Sequence, residues 1–208
     1  MNSFLGYVCV LSAIVGTGHS LSCVECVSSS GTTCLGTTTT CSNGSVCGSQ
    51  YTVGKVGSVT TTLFVKACVF QDQCSMNGSI TFNEGSTRTG ISCCNTDNCT
   101  PPVPSLPQLS TQQNGLTCRS CISGTSNWCY TSDTIQCTGN EDMCLLQATT
   151  IAGLKTAIRG CATKSICDLG SQTVTDTVKI TCTSGTIGLH SNMFLSAIIS
   201  FVLLKCYF

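Results

Sequence analysis

Two cysteines stand side by side at 93 and 94, followed at once by Asn95-Thr96-Asp97-Asn98-Cys99, and this stretch restricts the fold more than any other in the 208-residue chain. Neighbouring cysteines can scarcely bond to each other without strain. Cys94 has Cys99 within reach, closing a small ring, so Cys93 must bond back into the preceding chain. A small disulfide domain that ends this way has its other half-bridges upstream. Cysteines do stand at 23, 26, 34, 41, 47, 68 and 74, making with 93, 94 and 99 a set of ten that can be fully paired.

Twenty cysteines and only 9% charged residues place the chain among disulfide-rich exported proteins, folded under oxidising conditions. Nine basic and nine acidic residues are scattered singly, so no basic patch recommends nucleic acid or an anionic membrane surface. Residues 1–20 read as a secretory signal: an apolar run from Phe4 to Val15, too short to span a bilayer, then small Gly16, Gly18 and Ser20 ahead of Leu21. The basic residue usual near such a start is absent.

Residues 21–100 form the first domain. Successive cysteines there are separated by 2, 7, 6, 5, 20, 5, 18, 0 and 4 residues, and the two long excursions that each return to a cysteine read as hairpins. Gln50–Val53 and Ser58–Val65 are β-branched and aromatic around a turn at Gly54–Gly57; Ile80–Phe82 and Thr89–Ser92 flank a second turn at Asn83–Ser86. No stretch shows sustained helical periodicity. A domain this small buries little apolar surface, so each well-placed bridge supplies about 2–4 kcal/mol that the core does not. The loop tips are then the natural places for recognition.

Residues 101–116 hold all four prolines and read as a semi-rigid spacer. At 117–184 the pattern restarts: Leu116-Thr117-Cys118-Arg119-Ser120-Cys121 repeats Leu21-Ser22-Cys23-Val24-Glu25-Cys26, and gaps of 7, 7, 6, 16, 5 and 14 follow. Such a repeat means two domains of one fold. The second copy has no double cysteine after Cys182 and no closing ring. Cys9 and Cys206 are left over, both in segments expected to be removed.

The opening Leu21–Cys26, the spacing and the ending Cys93–Cys99 resemble the three-finger domain of the Ly-6 antigen and urokinase receptor superfamily. The resemblance implies an all-β, disulfide-rich fold of two tandem three-finger domains. It also implies the bridges Cys23–Cys47, Cys26–Cys34, Cys41–Cys68, Cys74–Cys93 and Cys94–Cys99, then Cys118–Cys144, Cys121–Cys129, Cys137–Cys161 and Cys167–Cys182. The family pattern has Asn after its last cysteine, where this chain has Thr100. Gly160–Thr163 and Val178–Thr183 resemble the two-domain branch that includes the gamma-type inhibitors of secreted phospholipase A2.

Residues 193–204 form a twelve-residue apolar run, shorter than a spanning helix, preceded by the small triplet Ser184-Gly185-Thr186 and a spacer. This is the composition of a glycosylphosphatidylinositol attachment signal, with the lipid on Ser184, Gly185 as alternative, and 185–208 removed. A strand or short buried helix completing the second domain is the competing reading, and Lys205 suits neither. The expected location is the extracellular face of the plasma membrane, with secretion as a further possibility.

The only histidines, His19 and His190, lie in the segments expected to be removed, which excludes Ser-His-Asp and Cys-His machinery and His-ligated zinc from the mature chain. Cys23-Val24-Glu25-Cys26 and Cys118-Arg119-Ser120-Cys121 imitate redox pairs, but their repetition at matching positions makes them structural. Glu141-Asp142 reads as solvated surface rather than an acid/base pair. No enzyme activity, metal or cofactor is expected. Asn43 and Asn77 head glycosylation sequons that should mark exposed loops; a third at Asn98 has its middle residue in the terminal ring. Trp128 reads as packing against the disulfide base, with an exposed anchor as the alternative. Tyr51, Lys55 and Val56 in the central finger of the first domain are the expected contact surface, with 151–154 as their counterpart. The expected function is a lipid-anchored surface protein that binds an extracellular protein through its finger loops. Phospholipase A2 inhibition and adhesion or gamete recognition are the alternatives.

Overall fold

The structure, a computed structural model, describes residues 20–151, 153–170 and 178–184. Ser184 follows the last described strand directly and is half-buried. The expected signal sequence, apart from Ser20, and the attachment tail, with His19, His190, Cys9 and Cys206, lie outside the described residues.

The first repeat is built from β1 (Ser22–Ser28), β2 (Thr37–Thr40), β3 (Ser45–Val56), β4 (Val59–Phe70), β5 (Asn77–Phe82) and β6 (Gly85–Cys94). β3 and β4 form a twelve-rung hairpin, longer than the apolar runs suggest, because its turn is only Gly57-Ser58; Gly57 takes the positive φ of +56° that such a turn needs. β6 pairs with the other side of β3, and β5 with β6 across the turn at Asn83-Glu84. The second repeat follows the same course with β7 (Gln113–Arg119), β8 (Cys121–Ser123), β9 (Thr134–Thr138), β10 (Met143–Ile151), β11 (Leu154–Ala162) and β12 (Val178–Thr183). β7 therefore begins inside the stretch read as spacer.

Among the described residues one α-helix, α1 (Lys164–Gly170), interrupts the strands, beside a single 3-10 turn at Gln71–Gln73. Helical periodicity could not announce it, since seven residues make only two turns. Its first turn closes on the Thr163 carbonyl, which accepts from the amides of Ile166 and Cys167, while Ile166, Cys167 and Leu169 are buried.

Among the described residues nine bridges hold the strands, with Cα atoms 5.3–6.3 Å apart, and they join the same pairs that the family resemblance implies. Cys23, Cys41 and Cys47 make the core at the base of the first repeat; Cys118, Cys137 and Cys161 make that of the second. The ring closed by Cys94 and Cys99 clamps the start of the chain: Asp97 Oδ1 accepts from the Ser22 amide at 2.8 Å, and the Asn98 amide donates to the Ser22 carbonyl at 2.7 Å.

The two repeats are joined by more than the linker. Thr81 and Ile80 of β5 pair antiparallel with Cys161 and Ala162 of β11, which merges both halves into one ten-stranded sheet. The Ser79 amide donates to Thr163 Oγ1 at 3.1 Å, and the Thr163 amide donates to the Ser79 carbonyl at 3.0 Å. Ile80, Phe82 and Ile91 share a single core with Leu145, Ile158, Ala162, Ile166 and Leu169.

The proline segment is a strap rather than a spacer. A proline-rich run has few amides to donate, but its carbonyls accept, and those of Pro102, Ser105 and Pro107 take hydrogen bonds from Ser49 and Ser92, Asn77 and Arg88 respectively. Gly90 gives it room: a Cβ there would lie 2.5 Å from the Ser105 carbonyl oxygen.

Glu141 departs from the solvated surface its sequence neighbourhood suggests. The turn that carries it is fixed by its own amide, which donates to the Thr138 carbonyl, and by Asn114 Nδ2, which donates to the Gly139 and Glu141 carbonyls. That turn pushes the side chain into the junction, where it is buried and its Oε1 accepts from Ser79 Oγ at 2.6 Å and Thr81 Oγ1 at 2.8 Å. Burial raises its pKa above the usual carboxylate value, and the two hydroxyls offset this in part. Its Oε2 has no hydrogen-bond partner among the described residues.

Candidate binding surface

The first finger of the second repeat carries the most exposed aromatic group among the described residues. The Cys121–Cys129 bridge ties its two ends together. Trp128 and Tyr130 flank Cys129 as a pair, their ring centroids 5.8 Å apart and the planes tilted by 60°. Trp128 is 40% exposed and Tyr130 92%.

Trp128 is exposed, as the alternative reading has it, and the sheet register explains what lies against it. β8 and β11 pair with Cys121 opposite Arg159, so the bridge from Cys121 to Cys129 carries the indole to the Arg159 side chain. The guanidinium carbon lies 4.2 Å from the ring centroid, and the cation covers one face of the indole. The rest of the finger is pinned by short-range bonds. Ser126 Oγ accepts from the Trp128 amide, Thr131 Oγ1 accepts from the Asp133 amide, and Arg119 Nη1 donates to the Thr131 carbonyl at 2.5 Å.

Beside Tyr130 a cleft of about 260 Å³ opens between the repeats, with Phe82 and Asn83 from the first and Ser120 and Ile122 from the second. The Asn83 amide donates to Ser120 Oγ at 2.8 Å, which sets the tip of the β5–β6 finger against the base of this one. The aromatic pair therefore stands beside the junction of the two repeats.

The residues expected to make the contact surface are placed differently. Lys55 is exposed, but Tyr51 is half-buried with its ring 6.5 Å from that of Phe64, and Val56, on the opposite face of β3, packs against the shared core. These three do not form one exposed patch. Of their counterparts, Ile151 is half-buried, Leu154 is exposed, and Ala152 lies outside the described residues. Arg159 is invisible to sequence reading because only the register reveals what it faces. The alternation Trp128-Cys129-Tyr130 is the available signal.

Asn43 stands exposed in the turn before β3, beside Gly44 at φ +84°. Asn77 is exposed too, but it opens β5 rather than a loop; its Nδ2 is bonded to the strap, and the Ser79 of its sequon is buried against Glu141. Two groups of three cysteine sulfurs, Cys23, Cys41 and Cys68 and Cys118, Cys137 and Cys161, lie within 4.8 Å of one another. Every one of these sulfurs belongs to a bridge, so none is a thiolate ligand.

A family model for the u-PAR/Ly-6 domain matches residues 19–102 and again 114–188. The chain belongs to this family. Its relatives include the phospholipase A2 inhibitor NAI of Notechis ater, 32% identical over 176 residues that cover 81% of this chain and 86% of the relative. A gamma-type phospholipase A2 inhibitor of Elaphe climacophora is 30% identical over 170 residues, covering 79% and 84%. Among solved structures, mouse TEX101 is matched at 17% identity and a TM-score of 0.32, over 78% of this chain and 97% of that one. In this u-PAR/Ly-6 chain, the aromatic finger and the junction beneath it belong to the second family domain and to its contact with the first.

Proposed function

We propose that this chain is an extracellular, non-enzymatic binding protein that engages a protein partner through the first finger of its second repeat. The observation that carries the reading is the exposed Trp128–Tyr130 pair held against Arg159 on a disulfide-closed loop. Tryptophan, tyrosine and arginine are the side chains that most often dominate binding energy, and a loop already ordered by a bridge loses little entropy on docking. The mechanism is steric and complementary, with no bond made or broken.

Secreted phospholipase A2 is the first partner class to test, because the relatives that match over four-fifths of the chain carry the name of inhibitors of that enzyme. Binding to a panel of such enzymes, measured by surface plasmon resonance, is expected for at least one of them. The double substitution Trp128→Ala, Tyr130→Ala should weaken that binding at least tenfold, or about 1.4 kcal/mol. Unchanged affinity of the double variant removes the finger from the proposal. If no enzyme of the panel binds, the inhibitor reading is discarded, and the same pair of proteins is compared for staining of intact cells, where adhesion is the remaining reading.

A glycosylphosphatidylinositol lipid on Ser184 would place the two repeats on the outer face of the plasma membrane. Phosphatidylinositol-specific phospholipase C should then release the protein from expressing cells with a remnant on Ser184. Protein that resists release, or that appears in the medium ending beyond Ser184, removes the anchor.

A further inference from the structure

The nine basic and nine acidic residues are scattered singly along the chain, so any place that gathers charges of one sign is made by the fold. The cleft between the repeats is such a place. Its lining carries two carboxylates, Glu84 from the first repeat and Asp133 from the second, and no basic side chain. Both residues are exposed, and neither carboxylate has a hydrogen bond or an ion pair among the described residues. The arginines beside the finger are engaged elsewhere: Arg119 on the Thr131 carbonyl and Arg159 on the face of the Trp128 indole.

The backbone under both carboxylates is already fixed. The Glu84 carbonyl accepts from the Gly57 amide at 2.8 Å, and the amide of its neighbour Asn83 donates to Ser120 Oγ. The Asp133 carbonyl accepts from the Ser120 amide at 3.0 Å, and the Asp133 amide donates to Thr131 Oγ1 at 2.9 Å. Ser120 therefore ties the two stretches together, one through its amide and one through its hydroxyl oxygen. It is itself buried and lines the cleft, and its hydroxyl proton has no acceptor among the described residues. Exposed Tyr130 and buried Phe82 supply the aromatic part of the lining.

We infer that this cleft receives an arginine side chain of the protein that docks on the Trp128–Tyr130 finger, its guanidinium meeting Glu84 and Asp133 with Tyr130 against its face. The inference rests on the reading of that finger as the partner-binding element. Size selects a side chain, since about 260 Å³ falls below the roughly 300 Å³ at which small-molecule sites begin. Charge selects a cation: two ionised carboxylates lining one cleft repel each other, and a cation received there relieves the repulsion. The aromatic lining selects arginine over lysine, because a planar guanidinium stacks on a ring and is more weakly hydrated than an ammonium. The unclaimed Ser120 proton offers the donor that a carbonyl of the arriving segment needs. Ordered backbone under both carboxylates lowers the entropy lost on docking.

Amide NMR of the full chain titrated with N-acetyl-arginine methylamide tests the cleft without any protein partner. Saturable shifts are expected at the amides of Asn83, Ser120, Tyr130 and Asp133, and added salt should weaken them. Glu84→Gln together with Asp133→Asn should weaken the probe at least tenfold, while near-unchanged circular dichroism reports an intact fold. The lysine analogue should bind more weakly. The citrulline analogue, which keeps the shape of arginine without its charge, should give no saturable shift. An arginine probe that leaves those amides unmoved, a double variant that binds it as the wild type does, or a lysine or citrulline analogue that binds equally well overturns the inference. The finger is judged apart from the cleft. With a phospholipase A2 that binds the chain, Trp128→Ala, Tyr130→Ala decides the finger, and Glu84→Gln, Asp133→Asn should cost at least tenfold in affinity, unchanged affinity overturning the cleft alone. If no enzyme of the panel binds, the inhibitor reading fails and the probe titration still decides the cleft.

Discussion

Gly160→Val should separate the two repeats. Gly160 lies one residue before the rung that joins Cys161 to Thr81, and a Cβ built there would stand 2.1 Å from the Thr81 carbonyl oxygen and 3.1 Å from Phe82 Cβ. Neither obstacle is the movable end of a long side chain, since one is backbone and the other is fixed by it. β11 cannot retreat either, because Leu145 of β10 pairs with Gly160 from the other side. The strand that must leave is β5, and with it go the hydrogen bonds between Ser79 and Thr163 and the burial of Ile80 and Phe82 against Leu145, Ile158 and Ile166. Exposing two such side chains costs roughly 1.5–3 kcal/mol each. The wild-type chain should unfold in one cooperative thermal transition, because core and sheet are continuous across the junction. Gly160→Val should unfold in two, with amides of 79–82 losing their protection against hydrogen exchange. Gly31→Ala is the control: a Cβ there meets nothing within 4 Å, and a shift beyond about 0.5 kcal/mol is not expected. A single transition at the wild-type temperature in Gly160→Val would mean that the repeats do not depend on each other for stability.

Why the disulfide framework was readable and the junction was not follows from the range of each signal. Cysteine spacing is a property of one repeat and carries the family resemblance that implies the pairing; by itself it says only that Cys94 has Cys99 within reach and that Cys93 bonds back into the chain. The β3–β4 and β5–β6 hairpins announce themselves through β-branched runs interrupted by glycine and asparagine, although their turns sit at Gly57-Ser58 and Asn83-Glu84 and the strands run longer than those runs. Contacts between repeats carry no periodicity at all. Glu141 is adjacent in sequence to exposed Asp142, and only the Asn114-braced turn reveals that it points inward to Ser79 and Thr81. Pro101–Pro107 has the composition of a free spacer, yet Ser49, Ser92, Asn77 and Arg88 supply donors that fasten its carbonyls down. The sequence points Trp128 to the disulfide base because Cys129 is its neighbour, whereas its covering group, Arg159, is 31 residues away in sequence and adjacent through register alone.

Substitutions at Glu141 should make the junction report pH. Glu141→Ala removes the acceptor of two hydroxyls at the junction, that of Ser79 buried and that of Thr81 half-buried, and leaving such groups unpaired should lower stability by about 2–4 kcal/mol. Glu141→Gln keeps an oxygen for both and removes only the charge. Burial raises the carboxyl pKa in the folded chain above its unfolded value, so between the two the folded state holds the extra proton. The stabilisation linked to this group is therefore complete below the unfolded pKa and is lost as the pH rises through the folded one. The wild-type melting temperature should accordingly fall over that window relative to Glu141→Gln, which has no proton to lose, and the gap should level off once the carboxylate is fully ionised. Thermal melts of the three proteins across the acidic range decide the matter. A wild-type chain that gains stability relative to Glu141→Gln as pH rises through the window would mean that Ser79 and Thr81 outweigh burial and hold the carboxylate charged at the junction.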